Sequence, residues 1–115
     1  MATEIGHRVA DLADGIDSLG KTCFANRLRE VSYRISGILA EGSSCPTKPE
    51  FAVFVSHARG ATLEIANLII FFSERELISE EDESNLVNML KRESKMLDNF
   101  RQSLERAGKP DPVGA

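Results

Sequence analysis

Hydrophobic residues recur at steps of three and four positions in four separate stretches of the chain. Each stretch puts its apolar side chains on one face of a helix and leaves the other faces to charged and polar residues. The spacing predicts four amphipathic helices at about residues 4–19, 23–41, 48–76 and 80–107, followed by a flexible C-terminal tail at 108–115. The predicted core-facing positions of the fourth helix are Leu86, Met89, Leu90, Met96, Leu97, Phe100 and Leu104.

Residues between the stripes predict where the helices end and begin. Gly20, Gly42 and Gly108 each follow an apolar stripe, and glycine commonly closes a helix in the left-handed conformation. Thr47, with a glutamate three positions later, has the pattern of an N-terminal capping box. Ser79 stands before an acidic run and is predicted to cap the fourth helix.

Short connections between amphipathic helices favour antiparallel neighbours. Because no stretch shows strand periodicity, the predicted fold is all-α, an antiparallel up-down-up-down four-helix bundle. No uninterrupted apolar run is longer than Leu68–Phe72, which is far shorter than the ~20 residues that span a bilayer. The first residues also lack a signal-peptide pattern, so a cytoplasmic protein without membrane association is expected.

The residues that usually carry catalysis or bind metals are sparse. The chain has two cysteines and two histidines, and their spacing matches no metal site or disulfide scaffold. Neither a glycine-rich phosphate loop nor a nucleophile elbow is present. We therefore expect no enzymatic activity, no cofactor and no metal.

The balance of acidic and basic residues indicates whether the chain is suited to bind nucleic acid. The net charge is −4, and residues 1–60 carry as many acidic as basic side chains. A dedicated nucleic-acid binder normally presents a basic surface, so binding is expected to be weak or absent. The alternative is an accessory protein that contacts nucleic acid through the second-helix arginines, Arg27, Arg29 and Arg34.

Glu93 interrupts the apolar stripe of the fourth helix, between Leu90 and Leu97. A buried carboxylate is costly, so it should be neutral, paired with a cation or placed at a subunit boundary. An ion pair is the favoured interpretation, with Arg27, Arg34 or His57 as partner. His57 and Glu64, seven positions apart on the third helix, are predicted to be buried polar groups at a contact between helices.

A second stripe on the third helix suggests self-association. It is rotated by roughly 120° from the first, at ~100° per residue, and a helix that is apolar on two sides is usually buried on both. The alternative is that its leucine and isoleucine are ordinary surface residues. The predicted oligomer interface consists of Ala52, Arg59, Leu63, Ala66 and Ile70.

Three short motifs stand at the end of the second helix and on the third: "LAEG" at residues 39–42, "EF" at 50–51 and "ARGATLE" at 58–64. They resemble the motifs of the 23S rRNA-intervening-sequence protein family, also called the four-helix-bundle protein family. The resemblance implies a small cytosolic bacterial protein that assembles as a ring-like homopentamer. A related bundle, the accessory protein of diversity-generating retroelements, pairs with a reverse transcriptase and binds nucleic acid through a strongly basic surface, which this chain lacks.

Three functions follow in order of preference. The first is a non-enzymatic homo-oligomer, expected to be a pentamer, that acts as a scaffold for a protein partner. The second is the nucleic-acid-binding accessory described above. The third, an enzyme with a site between subunits, ranks last because no nucleophile and base can be paired.

Overall fold

The computed structural model describes residues 2–108, with side chains from residue 5 onward. Its four helices are α1 (Ala2–Ser18), α2 (Thr22–Ser43), α3 (Lys48–Glu74) and α4 (Glu80–Ala107), and residues 2–108 contain no strand. Each helix packs against the next, and α1 returns to contact α4, so the fold is an antiparallel four-helix bundle. The helix ends lie within two residues of the predicted ones. Beyond Gly108, the predicted tail falls outside the described residues.

The turn between α1 and α2 is closed by Gly20, as predicted. Its φ of 77° is left-handed, and its N–H donates to the carbonyl of Asp17 at 2.8 Å. The next amide, of Lys21, donates to the carbonyl of Ile16 at 3.3 Å. This pair of bonds is a Schellman motif, which satisfies two carbonyls that the helix end would otherwise leave free.

Gly42 has a different role from the one predicted. It lies inside α2, which runs on to Ser43, and among residues 2–108 only Gly20 and Glu76 have a positive φ. A Cβ atom on Gly42 would lie 2.6 Å from the Cβ of Phe54 and 2.7 Å from the ring of Phe51. Glycine is therefore required here because α3 crosses against the end of α2 without room for a side chain.

Gly108 is likewise not left-handed. It is the C-cap of α4 with a φ of −85°, and a Cβ there would lie 2.4 Å from the ring of Pro49. The start of α3 and the end of α4, which lie furthest from the turn between these two helices, are therefore in close contact here. The predicted closure by a left-handed glycine was wrong for both Gly42 and Gly108.

The N-terminal caps of α3 and α4 are confirmed. The Thr47 hydroxyl accepts from the amide of Glu50 at 3.3 Å, and the Ser79 hydroxyl accepts from the amide of Asp82 at 3.1 Å. Each bond satisfies an amide that lacks a partner within the first helical turn. The bond that Glu50 would return in a full capping box is not formed.

The turn between α3 and α4 places a glutamate where glycine is usual. Glu76 has a φ of 60°, and its N–H donates to the carbonyl of Ser73 at 2.9 Å. Leu77 donates to the carbonyl of Phe72 at 2.9 Å, which completes a second Schellman motif. Across the turn, the Ser73 hydroxyl donates to the Glu83 carboxylate at 2.7 Å and ties the two helices together.

The core divides into two parts along the bundle. The larger part is enclosed by all four helices and includes the fully buried Phe72, Leu28 and Ile65. The smaller part lies toward the start of α3 and the end of α4, with Val55 and Leu97 among its members. Ile35 of α2 packs against both parts and joins them.

α1 is too short to cover the whole of α4. Ile5, near the start of α1, lines the same cavity as Glu93, whereas α4 continues for about 21 Å beyond Glu93 to Ala107, at 1.5 Å per residue. Met96 and Phe100, predicted to face the core, are therefore 51% and 42% exposed. The far end of the bundle is a three-helix structure with apolar side chains on its open side.

Candidate functional site

Glu93 is buried, as predicted, with only 9% of its surface exposed. It lines a cavity of about 70 Å³ between the helices, which is also lined by Thr62 of α3 and by Ser32 and Ser36 of α2. Ser36 is exposed, so the cavity opens toward solvent on the α2 side. Apolar side chains form the rest of the described wall, namely Ile5, Ile35, Leu39, Ile65 and Leu90. The cavity thus combines one carboxyl group and three hydroxyls with an apolar surround.

The prediction that Glu93 forms an ion pair is wrong for the residues whose side chains are described. Arg27 donates to one oxygen of the Glu64 carboxylate at 2.8 Å, and Arg34 donates to the other at 2.5 Å. His57 is exposed, with its ring beside that of Phe54 at a centroid distance of 6.2 Å. None of the residues whose side chains are described forms a hydrogen bond or ion pair with Glu93.

The carboxylate of Glu93 nevertheless contacts open space. Every fully buried side-chain oxygen and nitrogen in the described residues has a hydrogen-bond partner. Glu93 has none among those residues, so its oxygens are accessible to a probe the size of water. Glu93 lines the cavity, and we take the cavity as the source of that access. A polar cavity with such lining can hold water or a small polar group.

Glu64 is predicted to be buried, but it lies between two arginines and is only partly buried. It is partly buried, with 32% of its side chain exposed, because Arg27 and Arg34 of α2 cover the carboxylate from both sides. His57 is exposed because its position on α3 points away from the core, which corrects its prediction as a buried group. Among the described residues, no three potential ligand side chains lie close enough to hold a metal ion.

Arg29 connects α2 to α1. Its guanidinium donates to Asp14 at 2.7 Å and also contacts Asp17 at 2.8 Å. These two carboxylates raise the pKa of Arg29, with the hydrogen bond that Arg29 donates to Asp14 as the largest cause. All three arginines predicted to contact nucleic acid are therefore paired with carboxylates, and their positive charge is balanced within the chain.

Only part of the second α3 stripe reaches the surface. Ala52 and Ala66 are 2% and 7% exposed and lie in the bundle's own core, so they are not available to a neighbour. Leu63 and Ile70 are 42% and 37% exposed, and Arg59 lies between them and the start of the helix. The stripe lies closer to the core than predicted because α4 covers its alanines. Its exposed residues, Arg59, Leu63 and Ile70, form a narrow ridge along α3.

Arg59 connects this ridge to α4. Its Nε donates to the hydroxyl of the buried Ser94 at 3.2 Å. One turn further along α4, Asp98 accepts from Arg101 at 2.9 and 3.1 Å, and Arg101 also donates to Glu105 at 2.8 Å. The Arg101 hydrogen bonds lower the pKa of Asp98, and the two carboxylates raise the pKa of Arg101.

A wider groove separates α1 from α4 near the α3–α4 turn. It measures about 410 Å³ and is open to solvent. Leu12, Leu19 and Leu86 give it an apolar floor, and Asp11 and Asp82 stand among its polar residues. It arises because α1 packs more extensively against α2 than against α4.

Sequence reasoning missed the cavity and the open end of the bundle. The odd position of Glu93 signalled the cavity, but Ser32 and Ser36 look like ordinary outer-face residues of an amphipathic helix. The open end depends on how far α1 and α4 are displaced relative to each other along the bundle axis. The difference between their lengths, 17 and 28 residues, was the available signal.

The family model of the 23S rRNA-intervening sequence protein matches residues 1–99. The chain belongs to this family. No curated protein and no solved structure matches it. Within residues 2–108, no helix of this family member is long and apolar enough to cross a membrane.

Proposed function

We propose that this protein is a non-enzymatic, cytoplasmic bacterial protein that assembles as a homo-oligomer, specifically a pentamer, and presents the assembled surface to a protein partner. One observation carries the proposal. Among the large apolar side chains that the folded chain leaves exposed, two pairs each lie together on one surface: Leu63 and Ile70 on the α3 ridge, and Met96 and Phe100 at the open end of α4.

These two places are suited to contact between copies. The ridge projects from the side of α3 next to α4, whereas Met96 and Phe100 lie where α1 no longer covers α4. Because they are different surfaces, a contact between one and the other is heterologous, and repeated heterologous contacts close into a ring when the rotation permits. The family resemblance adds the expectation of five subunits.

Nucleic-acid binding is the weaker candidate. Arg27 and Arg34 share Glu64, and Arg29 is held by Asp14 and Asp17. Any phosphate would have to compete with these carboxylates, and the net charge of −4 opposes its approach. We therefore assign Arg27, Arg29 and Arg34 of α2 to contacts between helices.

Light scattering coupled to size-exclusion chromatography tests the proposal. The wild type should elute with five times the mass of one chain. Leu63→Glu combined with Ile70→Lys should give a smaller species with an unchanged helical circular dichroism spectrum. A matched control, Ser84→Glu with Asn88→Lys, introduces the same charges at exposed positions on the outer face of α4 and should keep the wild-type mass.

Two results would contradict the proposal. A monomeric wild type would end the scaffold interpretation. A ridge variant with the wild-type mass would remove the ridge from the interface and leave the open end of α4 to be tested in the same way, by Met96→Glu with Phe100→Lys. If that variant also kept the wild-type mass, neither apolar surface would be an interface.

A further inference from the structure

The cavity beside Glu93 has features that no part of the proposed assembly explains. The Glu93 side chain is about nine-tenths buried, borders a cavity and has no partner among the residues whose side chains are described. A carboxylate that is mostly enclosed by protein and has no protein partner is only partly solvated, which costs free energy unless water or a ligand satisfies it. Natural sequences keep such costs where the group has a use, so the cavity is a candidate binding site.

The hydrogen-bonding groups of the cavity are mainly acceptors. Glu93 offers two carboxylate oxygens. The Thr62 hydroxyl donates its own proton to the carbonyl of Ala58 at 2.9 Å, so its oxygen can only accept within the cavity. Ser32 and Ser36, near the α2 side of the cavity, form no hydrogen bond within the described residues and remain able to accept.

A primary ammonium group matches this arrangement. It has three donors, no acceptor and one positive charge, and a single carboxylate with hydroxyls on two other sides can satisfy it. The apolar wall of Ile65, Leu90 and Ile35 suits an attached alkyl chain. A divalent metal ion suits the site less well, because Ca²⁺ and Mg²⁺ need about six oxygen ligands and the described lining supplies one carboxylate.

The size of the cavity limits the ligand. A cavity needs roughly 10–15 Å³ to admit one water molecule, so about 70 Å³ admits a group of a few non-hydrogen atoms. We propose that the Glu93 cavity is a binding site for a small primary alkylammonium ion, whose nitrogen donates to Glu93 and to the hydroxyls of Thr62 and α2. The site lies within one chain and does not depend on the oligomeric state.

Nuclear magnetic resonance titration of the intact, assembled protein tests this site. The probe is n-propylammonium chloride, added at constant total chloride against sodium chloride. Its few non-hydrogen atoms limit its dissociation constant to about 0.05 mM at best. Saturable shifts are expected for the amides around Ser36, Thr62 and Glu93, and the same residues should not respond to n-propanol or to tetramethylammonium, which carries a charge but no N–H donor.

Two variants separate this site from general attraction to an acidic protein. Glu93→Gln keeps the side-chain shape but removes the charge, and should weaken n-propylammonium binding by about tenfold or more. Glu30→Gln removes an exposed carboxylate elsewhere on α2 and should bind like the wild type. Circular dichroism and light scattering confirm that each variant keeps its fold and assembly.

Three outcomes would overturn the proposal. The first is the lack of saturable shifts at the cavity in the wild type. The second is equal binding of n-propylammonium by the wild type and Glu93→Gln. The third is equal binding of tetramethylammonium, since that ion cannot donate hydrogen bonds and its binding would reflect charge alone.

Discussion

Arg34 of α2 donates to Glu64 of α3 at 2.5 Å, although the two residues are thirty positions apart in the chain. The same carboxylate accepts from Arg27 at 2.8 Å with its other oxygen. One acidic side chain therefore pairs with two of the three arginines that the sequence offered as a contact for nucleic acid, and Glu30 is a second carboxylate partner of Arg27 at 3.7 Å. Both arginines are about half exposed, so the bridge serves more to set local charge than to stabilise the fold.

This bridge leads to a prediction about nucleic-acid binding. The wild type should bind duplex DNA and structured RNA no more tightly than micromolar at ~0.15 M salt, because the three α2 arginines are paired with carboxylates and the net charge is −4. Glu64→Gln frees Arg34 and leaves Arg27 with only its longer contact to Glu30, so it should raise the affinity several-fold at low salt. Gel mobility at several salt concentrations measures both.

The control for this prediction is Glu105→Gln, which removes one negative charge from α4 and should have a smaller effect. Submicromolar binding by the wild type near physiological salt, lost in Arg27→Ala with Arg34→Ala, would contradict the prediction. It would restore the nucleic-acid accessory as the leading function.

The fold was predictable because the apolar spacing is regular and three of the helix boundaries carry a recognisable capping residue. Gly20, Thr47 and Ser79 act at the ends of helices as their residue types suggest. Gly42 could not be interpreted correctly from its neighbours, since the contact that requires it comes from two phenylalanines of the next helix. A glycine that ends a helix and a glycine that allows close packing have the same local sequence pattern.

The candidate site was less predictable, because partners of charged groups depend on the relative rotation of the helices. Periodicity indicated that Glu93 is buried, and this was confirmed. It could not show whether Arg34 would reach Glu93 or Glu64, since both carboxylates lie on helices close to α2. Likewise, helical spacing alone could not show that α4 covers Ala52 and Ala66 but leaves Leu63 exposed.

The cavity gives a prediction about stability. Because Glu93 has no partner among the described side chains, Glu93→Gln should change the free energy of unfolding by less than about 1 kcal/mol. Glu93→Met, of similar length but apolar, should stabilise the protein by about 1 kcal/mol or more. Urea unfolding of both variants, with the slope checked for constancy, measures these differences.

The opposite result would show that the carboxylate is paired. If Glu93→Gln and Glu93→Met both destabilised the protein by several kcal/mol, Glu93 would be bound to a cation supplied by residues outside the described side chains or by a neighbouring subunit. Comparison at several protein concentrations would separate these cases, because only a contact between subunits depends on concentration.

Glu76 is a second place where the sequence departs from the usual choice. Its left-handed φ of 60° costs a non-glycine residue about 1–2 kcal/mol. Glu76→Gly should therefore raise stability by about 1 kcal/mol, whereas Gly20→Ala, at the corresponding position of the α1–α2 turn, should lower it by a similar amount. Thermal unfolding of the two variants checks both signs, and a stability loss in Glu76→Gly would contradict this account.

The Asp98–Arg101 pair predicts a dependence on pH. Hydrogen bonds from Arg101 lower the pKa of Asp98 in the folded protein, whereas in the unfolded chain the pKa returns to about 3.9. The stabilising contribution is therefore complete above about pH 4 and is lost as the pH falls through the folded-state pKa. Stability measured from pH 6 to pH 3 should fall less steeply in Asp98→Asn than in the wild type.

Arg101→Gln provides the matched test of the cause. It removes the group that lowers the pKa of Asp98, so Asp98→Asn made in that background should change the pH dependence much less than it does in the wild type. An equal effect of Asp98→Asn in both backgrounds would mean that the acid sensitivity comes from another contact of Asp98.

Two glycines of α2 should respond in opposite directions to the same substitution. A Cβ on Gly42 would lie 2.6 Å from the Cβ of Phe54, so Gly42→Ala forces α2 and α3 apart and should cost about 1–3 kcal/mol. Gly37 is helical and exposed, with no atom within 4 Å of the position of a Cβ, so Gly37→Ala should stabilise the protein by about 0.5–1 kcal/mol. Chemical denaturation of both variants at equal protein concentration measures the difference.

If Gly42→Ala were as stable as the wild type, the close approach of the "LAEG" helix end to Phe51 and Phe54 would not be a requirement of the fold. If only Gly37→Ala were destabilising, its open position would instead be covered by another subunit, which the light-scattering experiment would detect as a change in assembly.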